Sequence, residues 1–419
     1  MSGPLQGVRV LDLSRILAGP WATQVLADFG ADVLKIERPG SGDDTRGWGP
    51  PYLKDADGNA TAESAYYLCA NRGKRSLAID LTRPQGQALI RQLAKRSDVL
   101  VENYKVGGLA KYGLDFDSLR QVNPKLVYCS ITGYGQDGPY ARRPGYDAAI
   151  QAIGGLMSIT GAPDGTPGAG PQKVGVAATD LMTGMYAVAA ILAALRHAEH
   201  SGEGQHIDLA LLDTQVAWLA NQASNYLVGG VVPERQGTAH PSIVPYQVMP
   251  AADGHFMLAV GNDAQFERFC GVVGVPDMAE DPRFATNAAR VVHRVELVSR
   301  LQELLRKRPA AEWLAALDAA QVPANPVNRI DQVFEDPQVR SRRMRVELPH
   351  ASGRPVAMVG NPVRFSATPV TYRRAAPVLG ENSAEVLADV LGIDAPGIAA
   401  LQAEGVVQAA DSFNQGDTA

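Results

Sequence analysis

The 419-residue chain has little that would tie it to an oxidising compartment, a metal or a membrane. Its three cysteines, Cys69, Cys129 and Cys270, are far apart and odd in number, which excludes a disulfide framework and any paired-thiolate metal motif. Seven histidines give no ligand set. His197 and His200 share one helix end, where the helix dipole alone favours them, and a third ligand is missing. No apolar run reaches the roughly 20 residues of a membrane span; the longest follows Asp180 and is interrupted by Thr183 and Gly184. The opening "MSGPLQGVRVLDL" lacks the basic and apolar regions of a secretory signal. The expectation is a cytoplasmic protein with no metal and no membrane partner. With 44 acidic against 39 basic residues the net charge is -5, the wrong sign for a nucleic-acid partner. Three fingerprints are also absent. No Gly-x-Gly-x-x-Gly follows the first strand, which argues against a nicotinamide dehydrogenase. No P-loop occurs, and no Gly-x-Ser-x-Gly elbow supports a serine hydrolase.

What is present reads as α/β. "VRVLDL" (8–13), "ADVLKIE" (31–37), "SLAID" (76–80), "DVLVEN" (98–103) and "KLVYCSITG" (125–133) are short apolar runs. Helical patterns near 20–27, 85–96 and 116–122 separate most of them, implying crossovers and a parallel sheet covered on both faces. Ligands of such sheets sit beyond the carboxyl ends of the strands. Those ends read "SRILAGP", "RPGSGDDTRGW", "NYKVGG" and "GYGQDGPYARRPGYD", rich in Gly, Arg, Lys and Tyr as an anionic, nucleotide-like ligand requires. Farther on, "YQVMPAADGHFMLAVG" (246–261) reads as a hairpin around Asp-Gly. Helices are expected near 264–273, 291–307 and 310–320, "QVPANPVN" as a connector, and a helix capped by Asn382 with Glu385 three residues on. The expected organisation is a large α/β domain over 1–200, a linker over 201–225 and a small mixed domain over 226–325. Residues 326–419 return to the large domain, and the last dozen residues are expected to fray.

Two carboxylates invite chemistry. Asp180 opens a long apolar helix with no further charge until Arg196. It is there either as an N-cap or as a nucleophile toward an activated carbonyl, and spacing alone leaves both open. Asp147, after Tyr146 in "PGYDAAIQA", is either an ordinary acid of a helix start or a group that orients a substrate acid. Basic residues gather near the strand ends: Arg38, Arg46, Arg72, Lys74, Arg75, Lys105, Lys111, Arg142 and Arg143. Pyrophosphate and 3′-phosphate groups favour such residues.

The stretches "GVRVLDLSRILAGPWATQVLADFGADVLKIERPGSGDDTR", "NRGKRSLAIDL", "DVLVENYKVGGLAKYGLD", "GYDAAIQA" and "TDLMTG", in this order, resemble the class III coenzyme A transferase (CaiB/BaiF) family. That family includes formyl-CoA transferase, carnitine CoA-transferase and the α-methylacyl-CoA racemases. "EDPRFATNAAR" and "PVLGENSAEVL" extend the likeness toward the end of the chain. The resemblance implies a large Rossmann-like parallel-sheet domain built from both chain ends, a smaller inserted mixed α/β domain, and an interlocked homodimer. It implies that Asp180 is the nucleophile and that a CoA thioester is a substrate, with no prosthetic group and a small carboxylic acid as the second partner. By the same resemblance CoA contacts Leu17, Ala18, Arg38, Ile79, Asn103, Tyr104, Lys105, Lys111 and Arg143 through Tyr146. The acid is expected near Trp48, Tyr146, Asp147, Gly261 and Asn262, with Arg46 or Arg72 holding a distal carboxylate. Racemases of this family carry His where Tyr146 stands, and a phenol is a poor base at neutral pH, so transfer is favoured over isomerisation. Formyl-CoA transferase has a glycine run where this chain reads Gly261-Asn262-Asp263. That departure turns the expectation from formate and oxalate toward succinyl-CoA and dicarboxylic acids.

Overall fold

The computed structural model describes residues 3–410; most of the tail expected to fray lies outside the described residues. Six segments form parallel strands: β1 (Arg9–Asp12), β2 (Asp32–Glu37), β3 (Arg75–Ile79), β4 (Val99–Glu102), β5 (Val127–Thr132) and β6 (His206–Ala210). A short β7 (Val407–Gln408) runs antiparallel along β3. Across the sheet the order is β7-β3-β2-β1-β4-β5-β6. Every residue of β4 and β5 is buried, which is why these strands read as unbroken apolar runs rather than alternations.

Strand alternation divides the core. Val10, Val33, Val101, Val127 and Cys129 pack on the side of α1 (Ala18–Asp28). Leu11, Leu34, Leu77, Leu100 and Tyr128 face α2 (Pro84–Ala94) and the C-terminal helix Ser383–Asp389. Two more helices matter for the site: α3 (Asp147–Ile153) and the 24-residue α4 (Ala178–Ser201). By length and composition α4 could cross a membrane. Here Ala187, Val188, Ile191, Ala194 and Leu195 bury it in the first of these two cores. The order 3-2-1-4-5-6 reverses between β1 and β4. Loops leaving the carboxyl ends of those two strands turn opposite ways and open a crevice.

The chain divides into two compact units. One comprises Met1–Gly155, Val174–Ala223 and Arg340–Ala419, so both chain ends build it; the other comprises Leu156–Lys173 and Ser224–Val339. These bounds differ from those read in the sequence. The supposed linker 201–225 contains β6, whose half-exposed pattern marks an edge strand, a position that demands less apolar sequence. In the second unit, Tyr246–Pro250 and His255–Ala259 form the expected hairpin. The Pro-rich connector supplies a third strand, Ala324–Pro326, because proline is tolerated on an edge. Asn382 does precede a helix, but its side-chain oxygen accepts the Ser76 N–H from β3 at 3.2 Å instead of capping.

Candidate active site at the strand switch point

Asp180 is the third residue of α4, and Ala177 is the N-cap. The capping reading of Asp180 therefore does not hold. Its side chain is only 8% exposed, and its carboxylate accepts no hydrogen bond among the described residues. Burial, and then the nearby Asp147 carboxylate, push its acidity up to about 7, as expected for an unsolvated, unpaired acid. Asp180 opens onto a cavity of about 360 Å³ at the switch point, walled by Leu17, Ala18, Asn103, Gly133, Tyr146 and Trp48 among others.

Local sequence explains how these walls meet. Gly184, one turn beyond Asp180, faces α1 so closely that a Cβ there would lie 2.8 Å from the Ala18 carbonyl oxygen. Only glycine lets the helix of Asp180 approach the "LAGP" turn this closely. Gly133, after β5, and Gly145, before Tyr146, touch backbone to backbone; a Cβ on Gly133 would sit 2.6 Å from the Gly145 Cα. Ile16 holds a left-handed φ of 72°, a strained state for a β-branched residue. Its N–H donates to Asp43 Oδ1 at 3.2 Å. Asp43 is in turn paired with the fully buried Lys35 at 2.9 Å. Arg15 N–H donates to Asn103 Oδ1 at 2.9 Å, and Asn103 Nδ2 donates back to the Arg15 carbonyl at 2.6 Å. Tyr104 N–H donates to the buried Glu102 at 2.7 Å.

A second cleft of about 540 Å³ adjoins the first and shares Arg15, Asp44, Tyr104 and Lys105 with it. Arg38, Ile79, Lys111 and Tyr112 also line it. Arg38, Lys105 and Lys111 make no ion pair among the described residues, so their charges remain for a ligand. The two clefts, which share these walls, together form a cation-lined path that ends on a buried carboxylate. Such a path suits a long anionic ligand with a phosphorylated head, since Lys and Arg pair well with phosphates.

The model of CoA-transferase family III matches residues 5–383. The chain belongs to this family. It is 54% identical over 391 residues to succinate–glutarate CoA-transferase of Agrobacterium fabrum, covering 93% of this chain and 96% of that one. It is 42% identical over 404 residues to human succinyl-CoA:glutarate CoA-transferase, covering 96% and 90%. Among solved structures, a CaiB/BaiF family protein from Brucella suis superposes with a TM-score of 0.82 at 46% identity, covering 93% of this chain and all of that one. This chain is thus an enzyme that transfers CoA between an acyl-CoA and a carboxylic acid, and isomerase chemistry is not favoured.

For a family III CoA-transferase, the expected ligand residues fall along the two clefts, with Tyr104 and Lys105 on both. Leu17, Ala18, Asn103, Tyr104, Lys105, Arg143 and Tyr146 line the inner cavity, and Arg38, Ile79 and Lys111 the outer cleft. Trp48, 44% exposed, lies at the inner cavity with its ring 5.1 Å from that of Tyr66. Neither cation expected to hold a distal carboxylate is available. Arg46 is buried and donates to Glu37, Glu63 and the Tyr67 hydroxyl at 2.6–2.8 Å. Arg72 is buried and donates to both oxygens of Asp28. Lys74 is fully buried on Asp12, and Arg75 pairs with Asp32. These motif cations hold loops in place; they do not bind anions from outside. Gly261 and Asn262 belong to the second unit, where the Asn262 side chain caps the helix Asp263–Val273 by accepting the Gln265 N–H. Sequence reasoning missed Arg15 and Thr132 on the inner wall, where Arg142, named only among cations suited to phosphates, also lies. Their positions at the carboxyl ends of β1 and β5 were the available signal. It also missed Tyr66, whose phenol is pushed up to about 12 by burial and by the neighbouring Asp180.

Proposed function

We propose that this enzyme moves CoA from succinyl-CoA to a dicarboxylic acid such as glutarate, with Asp180 as the nucleophile. The observation that carries the reading is Asp180 itself, a buried carboxylate that accepts no hydrogen bond among the described residues and ends a cationic path. The names of the relatives from Agrobacterium fabrum and human support the choice of acids. An Asp180 oxygen attacks the thioester carbonyl; the C–S bond breaks, CoA leaves as thiolate, and a mixed anhydride remains. The thiolate attacks the Asp180 carbonyl carbon, giving an aspartyl-CoA thioester and freeing succinate. The acceptor carboxylate then attacks that thioester, and the thiolate released returns to the acceptor's carbonyl. The new acyl-CoA leaves and Asp180 is regenerated. Each intermediate is already an activated acyl group, so nucleotide hydrolysis is not needed.

In this reading Leu17, Ala18, Asn103, Tyr104 and Lys105 guide the pantetheine arm, and Arg38 and Lys111 hold the phosphates. Trp48 and Tyr146 border the acyl group, and with Arg15 paired to Asp44 at 2.7 Å, Arg142 and Arg143 are the cations left for a distal carboxylate. The enzyme works as an interlocked homodimer in the cytoplasm, without a prosthetic group. The test is a panel of carboxylic acids incubated with succinyl-CoA, with new CoA esters read by mass spectrometry and hydroxylamine trapping at Asp180 in the same samples. Exchange with C4–C6 dicarboxylates and a hydroxamate on Asp180 are expected. Exchange without any Asp180 adduct sinks the covalent route.

A further inference from the structure

We propose that Asp147 is a positioning residue for the transfer, holding the first turn of α4 by its backbone amides so that the Asp180 carboxylate stays free and aimed into the cavity. The inference rests on the reading of Asp180 as nucleophile. Asp147 Oδ1 accepts the N–H of Thr179 at 2.8 Å and that of Asp180 at 3.2 Å. These are the second and third amides of α4, which has no side-chain cap of its own.

The unpaired amides and the dipole of a helix start draw an acid of the first turn toward them. Asp180 stands in that turn without bonding back, and Asp147 already occupies two of the donors. A carboxylate tied to two amides is less basic and a poorer nucleophile. Asp147 therefore takes the solvation that Asp180 would otherwise receive.

The holder is itself held. Gln151, one turn along α3 and fully buried, donates Nε2 to Asp147 Oδ2 at 2.6 Å. Its Oε1 accepts the Val174 N–H at 3.0 Å, in the segment that leads into α4. On the other side, Thr179 Oγ1 donates to Gln215 Oε1 at 2.7 Å. Both Asp147 oxygens are thus engaged within the protein, and its negative charge would repel an incoming carboxylate. A role in binding the acid, which the sequence left open, does not suit it.

The experiment compares Asp147→Ala and Asp147→Asn in the full-length enzyme, using succinyl-CoA and glutarate as probes. Asp147→Ala is expected to lower kcat about 100-fold, the scale of a misplaced nucleophile, with both KM values within about threefold of wild type. Asp147→Asn keeps an amide-accepting oxygen and is expected to bring kcat back to within about tenfold. The rate at which the hydroxylamine-labile adduct accumulates on Asp180 without acceptor should follow kcat in each protein. Wild-type kcat in the alanine variant overturns the proposal. So does an asparagine variant whose KM for glutarate rises at constant kcat, which would make Asp147 an acid ligand. Should the alanine variant fail to fold, the asparagine variant decides: an alanine-like loss of kcat with unchanged melting overturns the proposal. Failure of the underlying reading looks different, as wild-type exchange with no Asp180 adduct at all.

Discussion

Arg15 and Asn103 are joined reciprocally across the switch point, Arg15 N–H to Asn103 Oδ1 at 2.9 Å and Asn103 Nδ2 to the Arg15 carbonyl at 2.6 Å. One residue follows β1 and the other follows β4, so this pair fixes the spacing of the two loops that diverge there. Asn103→Ala removes both bonds, each worth about 1 kcal/mol. The expected result is a KM for acyl-CoA raised about tenfold with a smaller change in kcat. Steady-state kinetics with the donor varied at saturating acceptor would check it. An unchanged KM would mean that the loops are held by other contacts.

Asp180 gives a prediction in pH. On the proposed mechanism transfer requires the ionised carboxylate, whose acidity lies up at about 7 because of burial and Asp147. The neighbouring Tyr66 phenol is pushed up to about 12 and stays neutral across this range, so kcat/KM should rise with pH through about 7 as Asp180 ionises. Stability runs the other way. In the unfolded chain Asp180 ionises near its ordinary value of 3.8, whereas in the fold it stays protonated to about 7. Over that interval the unfolded state loses the proton first, so this residue's contribution to stability falls as pH rises and is flat above it. Asp180→Asn should abolish exchange and raise the melting temperature, by a margin that grows between about pH 5 and pH 8, on the order of a few kcal/mol at the top. Thermal melts at both pH values decide, and a variant no more stable at the higher pH contradicts the burial argument.

Arg46 should behave as a core residue. Glu63, buried beside it, is pushed up to about 7 mainly by its burial, and Glu37 depends on the same guanidinium. Arg46→Met leaves two carboxylates buried without their cation, a loss on the order of 3–5 kcal/mol. Urea denaturation should show it, while the KM for glutarate in the folded fraction stays near wild type. A rise in that KM without loss of stability would restore Arg46 to the substrate site.

Arg38 and Lys111 line the outer cleft without an ion pair among the described residues and should contribute mainly to the CoA phosphates. Alanine at either is expected to raise the KM for succinyl-CoA by about 5–20-fold, an effect that shrinks as salt is raised, and to leave the KM for glutarate alone. Kinetics at two ionic strengths, repeated with a dephospho-CoA ester, separate the 3′-phosphate from the diphosphate. Salt-independent effects would point to packing instead.

The sequence made the scaffold plain because its signals are local. Apolar runs such as "DVLVE" and "KLVYCSIT" are strands buried on both faces, and the loops after β1, β2, β4 and β5 could be placed at one edge from the pattern alone. Asp180 stood out because a lone charge in an apolar helix is visible without partners. The roles of Arg46 and Asp147 were not visible in the same way. Glu37 and Glu63 reach Arg46 from 9 residues before and 17 after, and Asp147 caps a helix 32 residues farther along. Such pairings depend on how the sheet brings loops together, and a basic residue neutralised inside the protein has the same letter as one awaiting a phosphate. The strand His206–Ala210 was legible as "GQHIDLALLDT", a strand running into a helix; the edge strand Ala324–Pro326 escaped, since an edge needs no freedom from proline.

Gly184 offers the sharpest test of how the nucleophile is aimed. The nearest groups to its missing Cβ are the Ala18 carbonyl oxygen at 2.8 Å and Trp21 side-chain carbons at 3.0 and 3.3 Å. The first of these is backbone at the start of α1 and cannot rotate away, so Gly184→Ala must push α1 and α4 apart. Alanine is the better helix former by about 1 kcal/mol, and if propensity decided, the variant would be more stable. Overpacking costs about 1–3 kcal/mol, so net destabilisation is expected. Because Leu17 and Ala18 wall the cavity opposite Asp180, the shift should also lower kcat by about tenfold or more. Thermal melting and single-turnover measurement of the Asp180 adduct would check both effects. A stabilised variant with full activity would show that the two helices do not need this close approach to bring Asp180 to the thioester.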